Sequence, residues 1–268
     1  MSLRDLGTEE GRSAFGADPA NYDIARTGYP EWVYERLQHR CGLAPGTRTF
    51  EIGPGTGLAT SRLLTHGANP LVAIEPDARL AQFLRSKLGG GLQILNAPFE
   101  DARLAEGGFD LGVAATSFHW MDQSVALRKI ARTLCSGGWW AAWWNIYGDP
   151  EREDPFHEAT KELLKSQPKS PSHYAGQPYP FPLDTTARLA DINAVGDFVD
   201  SKVEVSKWSI TLSAKQVRGL YASFSQFSVL ESSERERLLD GLERIAEDEF
   251  AGQVVRNMCT ALYIARKR

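Results

Sequence analysis

One seven-residue stretch, EIGPGTG at positions 51–57, limits the choice of fold more than anything else in the chain. It closes a β-rich run, RTFEI at 48–52, and passes straight into a helical pattern near 57–67. Glycines at 53, 55 and 57 let the backbone turn tightly and admit a ligand close to the amides at the helix start. A strand, a glycine-rich turn and a helix in that order begin a βαβ unit. The segment 48–144 keeps this rhythm. PLVAIE (70–75), LQILNA (92–97), FDLGVAATS (109–117) and WWAAWW (139–144) read as strands, with helices near 77–88 and 124–134. Apolar runs without alternation belong to strands covered on both faces. The expected fold class is α/β, a largely parallel sheet between helical layers.

The flanks add a cover and a cap. Pro30 opens PEWVYERLQHRCG, where Trp32, Val33, Leu37 and Cys41 recur at helical spacing and Gly42 marks a stop. After the core, residues 148–182 hold seven of the fourteen prolines, five of them between Pro168 and Pro182. A short helix near 155–166 fits there, followed by an irregular remainder. The aromatics Phe156, Tyr174, Tyr179 and Phe181 favour an ordered lid over a linker. Further on, VEVSKWSITL (203–212) alternates like a strand. SSERERLLDGLERIAEDEF places Leu238, Leu239, Leu242 and Ile245 on one helical face, with Ser233 and Glu236 spaced as a capping box. Residues 259–265 suit a closing strand. At 268 residues one decorated domain is expected. Its parts are an N-terminal cover (1–45), a ligand-binding core (46–147), a cap (148–200) and a completing segment (201–268).

Charge and cysteines narrow the function classes. With 30 basic against 34 acidic residues the net charge is −4, which supplies no overall basic field for a nucleic acid. Cys41, Cys135 and Cys259 are scattered and lack any Cys/His grouping, as suits a reducing cytosol. The first sixteen residues lack the apolar core of a signal peptide, and the apolar run 139–144 is too short for a bilayer. A cytoplasmic location with no membrane partner is expected. No metal site stands out, since Asp122 is the lone carboxylate close after the fourth strand.

The glycine spacing speaks to the ligand. A dinucleotide fingerprint G-x-G-x-x-G would place its third glycine at 58, where this chain has Leu58. Glu51, two positions before Gly53, would repel a pyrophosphate and welcome an ammonium or sulfonium. That moves the expectation from NAD to S-adenosylmethionine. Glu75 ends the second strand twenty-two residues after Gly53, where such domains keep the carboxylate that accepts ribose hydroxyls. A helix-start charge is the other reading, with Asp77 of IEPD as N-cap. Ala97 and Phe99, in NAPFE, either sandwich an adenine or simply pack a turn.

EIGPGTG, IEPD, FDLGVAATSFHWMD (109–122) and TLCSGGWW (133–140) together resemble the motifs of class I S-adenosylmethionine-dependent methyltransferases. The last of them looks like the loop before the fifth strand, with Cys135 where proline is frequent. YDIARTGYPEWVYERL (22–37) and WSITLSAKQVRGLYASFSQF (208–227) look like the small-molecule branch similar to trans-aconitate methyltransferases and the type 11 group. The resemblance covers nearly the whole chain. It implies a Rossmann-like three-layer sandwich with a seven-stranded mixed sheet, the last strand antiparallel, and a cap insertion. It also implies that Tyr22, Arg26 and Tyr29 fold over the cofactor, Arg26 being suited to its carboxylate. Glu51, Gly53, Pro54, Gly55, Thr56 and Gly57 would surround the methionine end, and Glu75 with Pro76 the ribose. Thr116, Ser117, His119 and Trp120 would sit where the methyl group leaves.

Methyl transfer from a sulfonium is an in-line displacement, so alignment carries much of the catalysis. Trp120 and Trp144 are candidate aromatic faces for the sulfonium. His119 is the candidate base, or else a wall residue hydrogen-bonded to the fold; a carboxylate acceptor would need no base. His157 and His173 are weaker candidates, and His39 and His66 look like helix-surface residues. The expected activity is methylation of a small organic acceptor at oxygen, carbon or carboxylate, with S-adenosylhomocysteine as product. A non-catalytic S-adenosylmethionine-binding regulatory or scaffold module is the alternative, and an NAD-linked oxidoreductase a third reading. Monomer and homodimer are both compatible with the sequence.

Overall fold

The computed structural model describes residues 15–89, 92–165 and 179–268. Its strands are β1 Thr47–Ile52, β2 Ala68–Ile74, β3 Gln93–Leu95, β4 Phe109–Ala115, β5 Leu134–Tyr147, β6 Phe198–Ser213 and β7 Gln253–Lys267. The helices are α1 Pro19–Ala25, α2 Glu31–Cys41, α3 Leu58–Thr65, α4 Ala78–Leu88, α5 Gln123–Thr133 and α6 Pro155–Leu164. They continue with α7 Thr185–Ala194, α8 Ala214–Ala222, α9 Ser225–Ser228 and α10 Ser232–Phe250. The strands form one seven-stranded sheet of order β3-β2-β1-β4-β5-β7-β6, mixed, with its last strands antiparallel. The α/β sandwich expected from the apolar runs is thus what forms.

β1 pairs in parallel with β2 on one side and β4 on the other, Glu51 standing opposite both Ala73 and Val113. Ile52 pairs with Ile74, and Ile74 with Leu95, so β1, β2 and β3 end level. Parallel strands deliver their following loops to one edge, and the order reverses between β1 and β4. That crevice is where open α/β sheets bind ligands.

The chain divides into two compact units. One comprises Gly28–Asn145, Pro182–Val205 and Thr260–Arg268; the other Met1–Thr27, Ile146–Phe181 and Ser206–Cys259. In the first, α2 buries Val33, Tyr34, Leu37 and Cys41 in a core with Leu63, Leu84, Val113 and Trp143. Each fully buried side chain of this size contributes roughly 1.5–3 kcal/mol. Gly42, left-handed at φ 72°, ends α2, and the Leu43 N–H reaches back to the Leu37 carbonyl at 3.1 Å. On the opposite sheet face Gly112 of β4 admits Phe50 of β1: a Cβ there would lie 2.2 Å from the ring.

In the second unit, Leu238, Leu239, Leu242 and Ala246 of α10 are buried with Val217 and Leu220 of α8. Phe156 of α6 lies edge-on to Phe250 at 5.4 Å. It is therefore a core residue of this unit, not a lid aromatic. Arg256 is buried too, donating to Asp154 at 2.9 Å and to the Tyr221 hydroxyl at 3.0 Å. The lysines Lys161 and Lys165 pair along α6 with Glu158 and Glu162 on its solvated face. His173 and Tyr174 lie outside the described residues.

Three local expectations need correction. Ser233 and Glu236 do not box the start of α10, whose N-cap position is Glu231 with no side-chain cap. Glu236 instead pairs with Arg218, which also holds Asp240 at 2.5 Å. The capping box forms at α8, where Ser213 accepts from the Gln216 N–H and Gln216 Oε1 accepts from the Ser213 N–H at 2.8 Å. The TLCSGG segment is not a loop: β5 already begins at Leu134, and Leu134 pairs with Phe109 before a bulge leads to Trp139 opposite Leu111. His66 is largely buried, its side chain 15% exposed. It caps α3, stacks on Tyr34 at 5.4 Å and lies 3.1 Å from Glu31.

Candidate active site

The unit that begins at Gly28 gathers most of the anticipated residues at the carboxyl edge of its strands. The β1 turn comes first. Gly53 has φ 63°, and a Cβ there would stand 2.6 Å from the Ser117 Cβ, so the loops after β1 and β4 touch at a point that only glycine permits. The Ser117 hydroxyl donates to the Ile52 carbonyl and fixes the same contact. Gly55 differs: a Cβ at this position would meet nothing within 4 Å. Space is therefore open above the turn.

Glu75 closes the far side of that turn. It is buried, and one carboxylate oxygen accepts the Gly55 N–H at 3.0 Å while the other accepts the Asp77 N–H at 3.0 Å. Burial raises its pKa to about 7, against the lowering effect of those two amides. Asn96 holds the adjoining backbone, its amide nitrogen donating to the carbonyls of Glu75 at 2.8 Å and Pro76 at 3.1 Å. Asp77 is the N-cap of α4 and accepts from the Arg79 N–H, as the alternative reading of IEPD has it for Asp77. Glu75 itself points back to the glycine turn.

Glu51 is 0% exposed, and neither of its oxygens has a donor in hydrogen-bonding geometry among the described residues. The Thr60 hydroxyl is near enough to ease the charged form but is itself without a bonded partner. Burial pushes the Glu51 pKa up to about 8, and the Glu75 charge adds to the rise. The Thr56 hydroxyl is likewise buried and unpartnered among the described residues. Two buried carboxyl groups beside an open glycine turn suit a ligand that brings positive charge.

After β4 the backbone is strained. Thr116 has φ 54° without being glycine, a conformation that costs of order 1–3 kcal/mol and gathers at functional sites. The Tyr29 hydroxyl holds it, donating to Thr116 Oγ1 at 2.8 Å, and the Thr116 N–H donates to the Trp143 carbonyl at 2.8 Å. His119 follows in a short turn, Phe118–Trp120. An indole N–H can only donate, so the 3.1 Å contact with Trp144 Nε1 makes His119 Nδ1 an acceptor and leaves the ring proton on Nε2. Burial lowers the His119 pKa to about 3, so the ring is neutral at physiological pH. Trp120 lies against it, ring centres 4.8 Å apart.

Two residues left with alternative readings by the sequence, Phe99 and His119, take the packed one in this arrangement. Phe99 is buried and stacked at 6.2 Å on Phe50, with Lys129 Nζ 5.0 Å from its ring centre. It packs the turn, whereas Ala97 stays partly exposed. His119, buried and bonded to Trp144, is placed as the wall reading has it. Tyr22 and Arg26 belong to the other unit. There the Arg26 guanidinium lies over the rings of Tyr22 (5.0 Å), Tyr147 (5.6 Å) and Phe224 (4.5 Å) and donates to the Ser223 carbonyl at 3.0 Å. Missed in the sequence were Asn96 as a clamp, Trp144 as the His119 partner, and Lys129. The partners of Trp144 and Lys129 lie 25 to 30 residues away, so no local spacing announces them. Among the described residues no group of three or more His, Cys, Asp or Glu could hold a metal ion. No helix among them is long and apolar enough to cross a membrane.

Comparison with known proteins agrees with the geometry. Residues 50–142 match the family model described as a methyltransferase domain. An uncharacterized methyltransferase of Schizosaccharomyces pombe is 24% identical over 264 residues, 94% of this chain and 96% of the relative. An uncharacterized methyltransferase of Mycobacterium bovis is 31% identical over 144 residues, 54% of this chain and 55% of that protein, so the match spans about half its length. Among solved structures, phosphoethanolamine N-methyltransferase 2 of Haemonchus contortus, in complex with phosphomonomethylethanolamine and S-adenosylhomocysteine, shares the fold. Its TM-score is 0.55 at 12% identity, over 94% of this chain and 57% of that one.

Proposed function

This chain is a class I S-adenosylmethionine-dependent methyltransferase, and from that premise we propose that it methylates a small organic acceptor. The observation that carries the site assignment is the Glu75 carboxylate, held by the Gly55 and Asp77 amides with lone pairs left for two ribose hydroxyls. Glu51, buried and unpartnered among the described residues, keeps its proton in the free protein and would release it against the positive methionine end, which the open space at Gly55 admits. When bound, S-adenosylmethionine supplies a methyl group on a positive sulfur. Gly53, Pro54, Gly55, Thr56 and Gly57 bring the turn amides close to that end. Pro76 and Ala97 flank the nucleoside, and Tyr29, whose hydroxyl holds Thr116, covers the methionine end.

Thr116, Ser117, His119 and Trp120 line the transfer position and orient the acceptor. A group with a pKa near 3 is too weak to take a proton from a phenol or hydroxyl at neutral pH. His119 therefore serves as a neutral, oriented wall, and the acceptor favoured by this site arrives already nucleophilic, a carboxylate being the simplest case. A small acceptor is also what the Haemonchus contortus relative in fold carries. The formal charge of −4 speaks against RNA or DNA. A non-catalytic binding module stands as the second reading and predicts binding without turnover.

Parallel calorimetric titrations with S-adenosylmethionine, S-adenosylhomocysteine and NAD test the site. Binding of the first two and not the third is expected. Transfer of a labelled methyl group to small carboxylic acids, phenols, amines, RNA and protein then tests the acceptor class. Label found in RNA or protein alone would refute it.

A further inference from the structure

The turn after β3 is held from a distance. Lys129, on α5, places its ammonium nitrogen 2.6 Å from the Phe99 carbonyl, 2.9 Å from that of Glu100 and 2.6 Å from that of Ala102. Three N–H groups meet three carbonyls, so its donors are used up on the backbone. It is neither a base nor a ligand contact. The stem is half-buried, and desolvation lowers its pKa while the nearby Asp101 and Glu100 charges oppose that. A turn of this size is ordinarily served by its own Asn, Asp or Ser side chains. Here the charge comes from a helix 27 to 30 residues away.

The contact leads to the ligand edge. The pinned turn begins at Pro98, whose carbonyl accepts from the Asp101 and Ala102 amides. Two residues earlier stands Asn96, which clamps the Glu75 and Pro76 carbonyls. Phe99 anchors the same turn on Phe50 of β1. At its other end α5 is N-capped by Asp122, two residues after the Thr116–Trp120 segment. One lysine thus ties the helix that follows the transfer segment to the turn that follows β3.

We propose that Lys129 is a positioning residue for the nucleoside half of the cofactor, holding the 98–102 turn and, through the adjoining Asn96, the Glu75–Pro76 backbone from which the carboxylate projects. This rests on the nucleoside lying along the β2–β3 edge, as proposed above. Removing the ammonium frees the turn and lowers nucleoside affinity, with the chemistry at the end of β4 left intact.

Calorimetry decides it, with S-adenosylhomocysteine and 5′-methylthioadenosine as probes for the wild type, Lys129→Met and Lys129→Arg. Expected for Lys129→Met is a weakening of about tenfold or more for both ligands, the loss of one charge-assisted anchor, with kcat at saturating S-adenosylmethionine within about twofold. Lys129→Arg, whose planar fork cannot address three converging carbonyls, falls between and serves where Lys129→Met does not fold. A folded Lys129→Met or Lys129→Arg protein with wild-type affinity overturns the inference alone. Failure of the wild type to bind either probe overturns the nucleoside reading and this inference with it.

Discussion

Replacing Glu51 by Gln isolates the cost of burying an acid with no bonded partner. Burial moves the Glu51 pKa from the ordinary 4.5 to about 8. Between those values the unfolded chain has released a proton that the folded chain keeps. The folded state therefore binds more protons, and this group's contribution to stability falls as pH rises, by about 1.4 kcal/mol per unit. Across the window the fall is at most about 5 kcal/mol, and relaxation around a real buried group makes about 2–5 kcal/mol the useful range. Gln copies the shape of the protonated acid and does not titrate. Urea unfolding of both proteins at pH 5, 6, 7, 8 and 9 should give similar stabilities at pH 5. The advantage of Glu51→Gln should grow to pH 8 and level beyond it. Groups that do not interact with Glu51 cancel in the difference; Glu75, whose charge contributes to the Glu51 shift, leaves a smaller residual slope near pH 7. Parallel stability curves over the whole range would refute the argument that Glu51 is buried in the protonated form.

Four further outcomes are expected. Glu75→Ala should weaken S-adenosylhomocysteine binding by about a hundredfold, since a carboxylate bonding two hydroxyls is worth roughly 3 kcal/mol; calorimetry measures it. The His119 ring, followed by NMR, should stay neutral down to about pH 4, in keeping with a pKa near 3; a midpoint near 6.5 would restore it as a base. Gly112→Ala drives a methyl group into the Phe50 ring and should cost about 1–3 kcal/mol in denaturant unfolding. Asp154→Ala leaves the buried Arg256 without its carboxylate and should cost about 3–5 kcal/mol by the same assay.

Neighbouring residues announce much of this molecule. The strand runs beginning RTFEI, the glycines of EIGPGTG and the stop at Gly42 state their conformations within a few positions, because periodicity and backbone freedom act locally. So do the acid at the end of β2 and its place beside the glycine turn, since level parallel strands put their loops at one edge. Choices between equal local options were not legible. Phe99 had two fates, and the ring of Phe50, admitted by Gly112 sixty-two positions further on, drew it into the core. Glu236 had the spacing of a cap and went to Arg218, while Ser213 found Gln216. His119 lost its basicity to burial and to the indole of Trp144. Patterning along the chain thus specifies which elements form and where the ligand edge lies. Burial and partner choice depend on groups brought together from distant positions, and these set which side chains at that edge are charged, packed away or left to act.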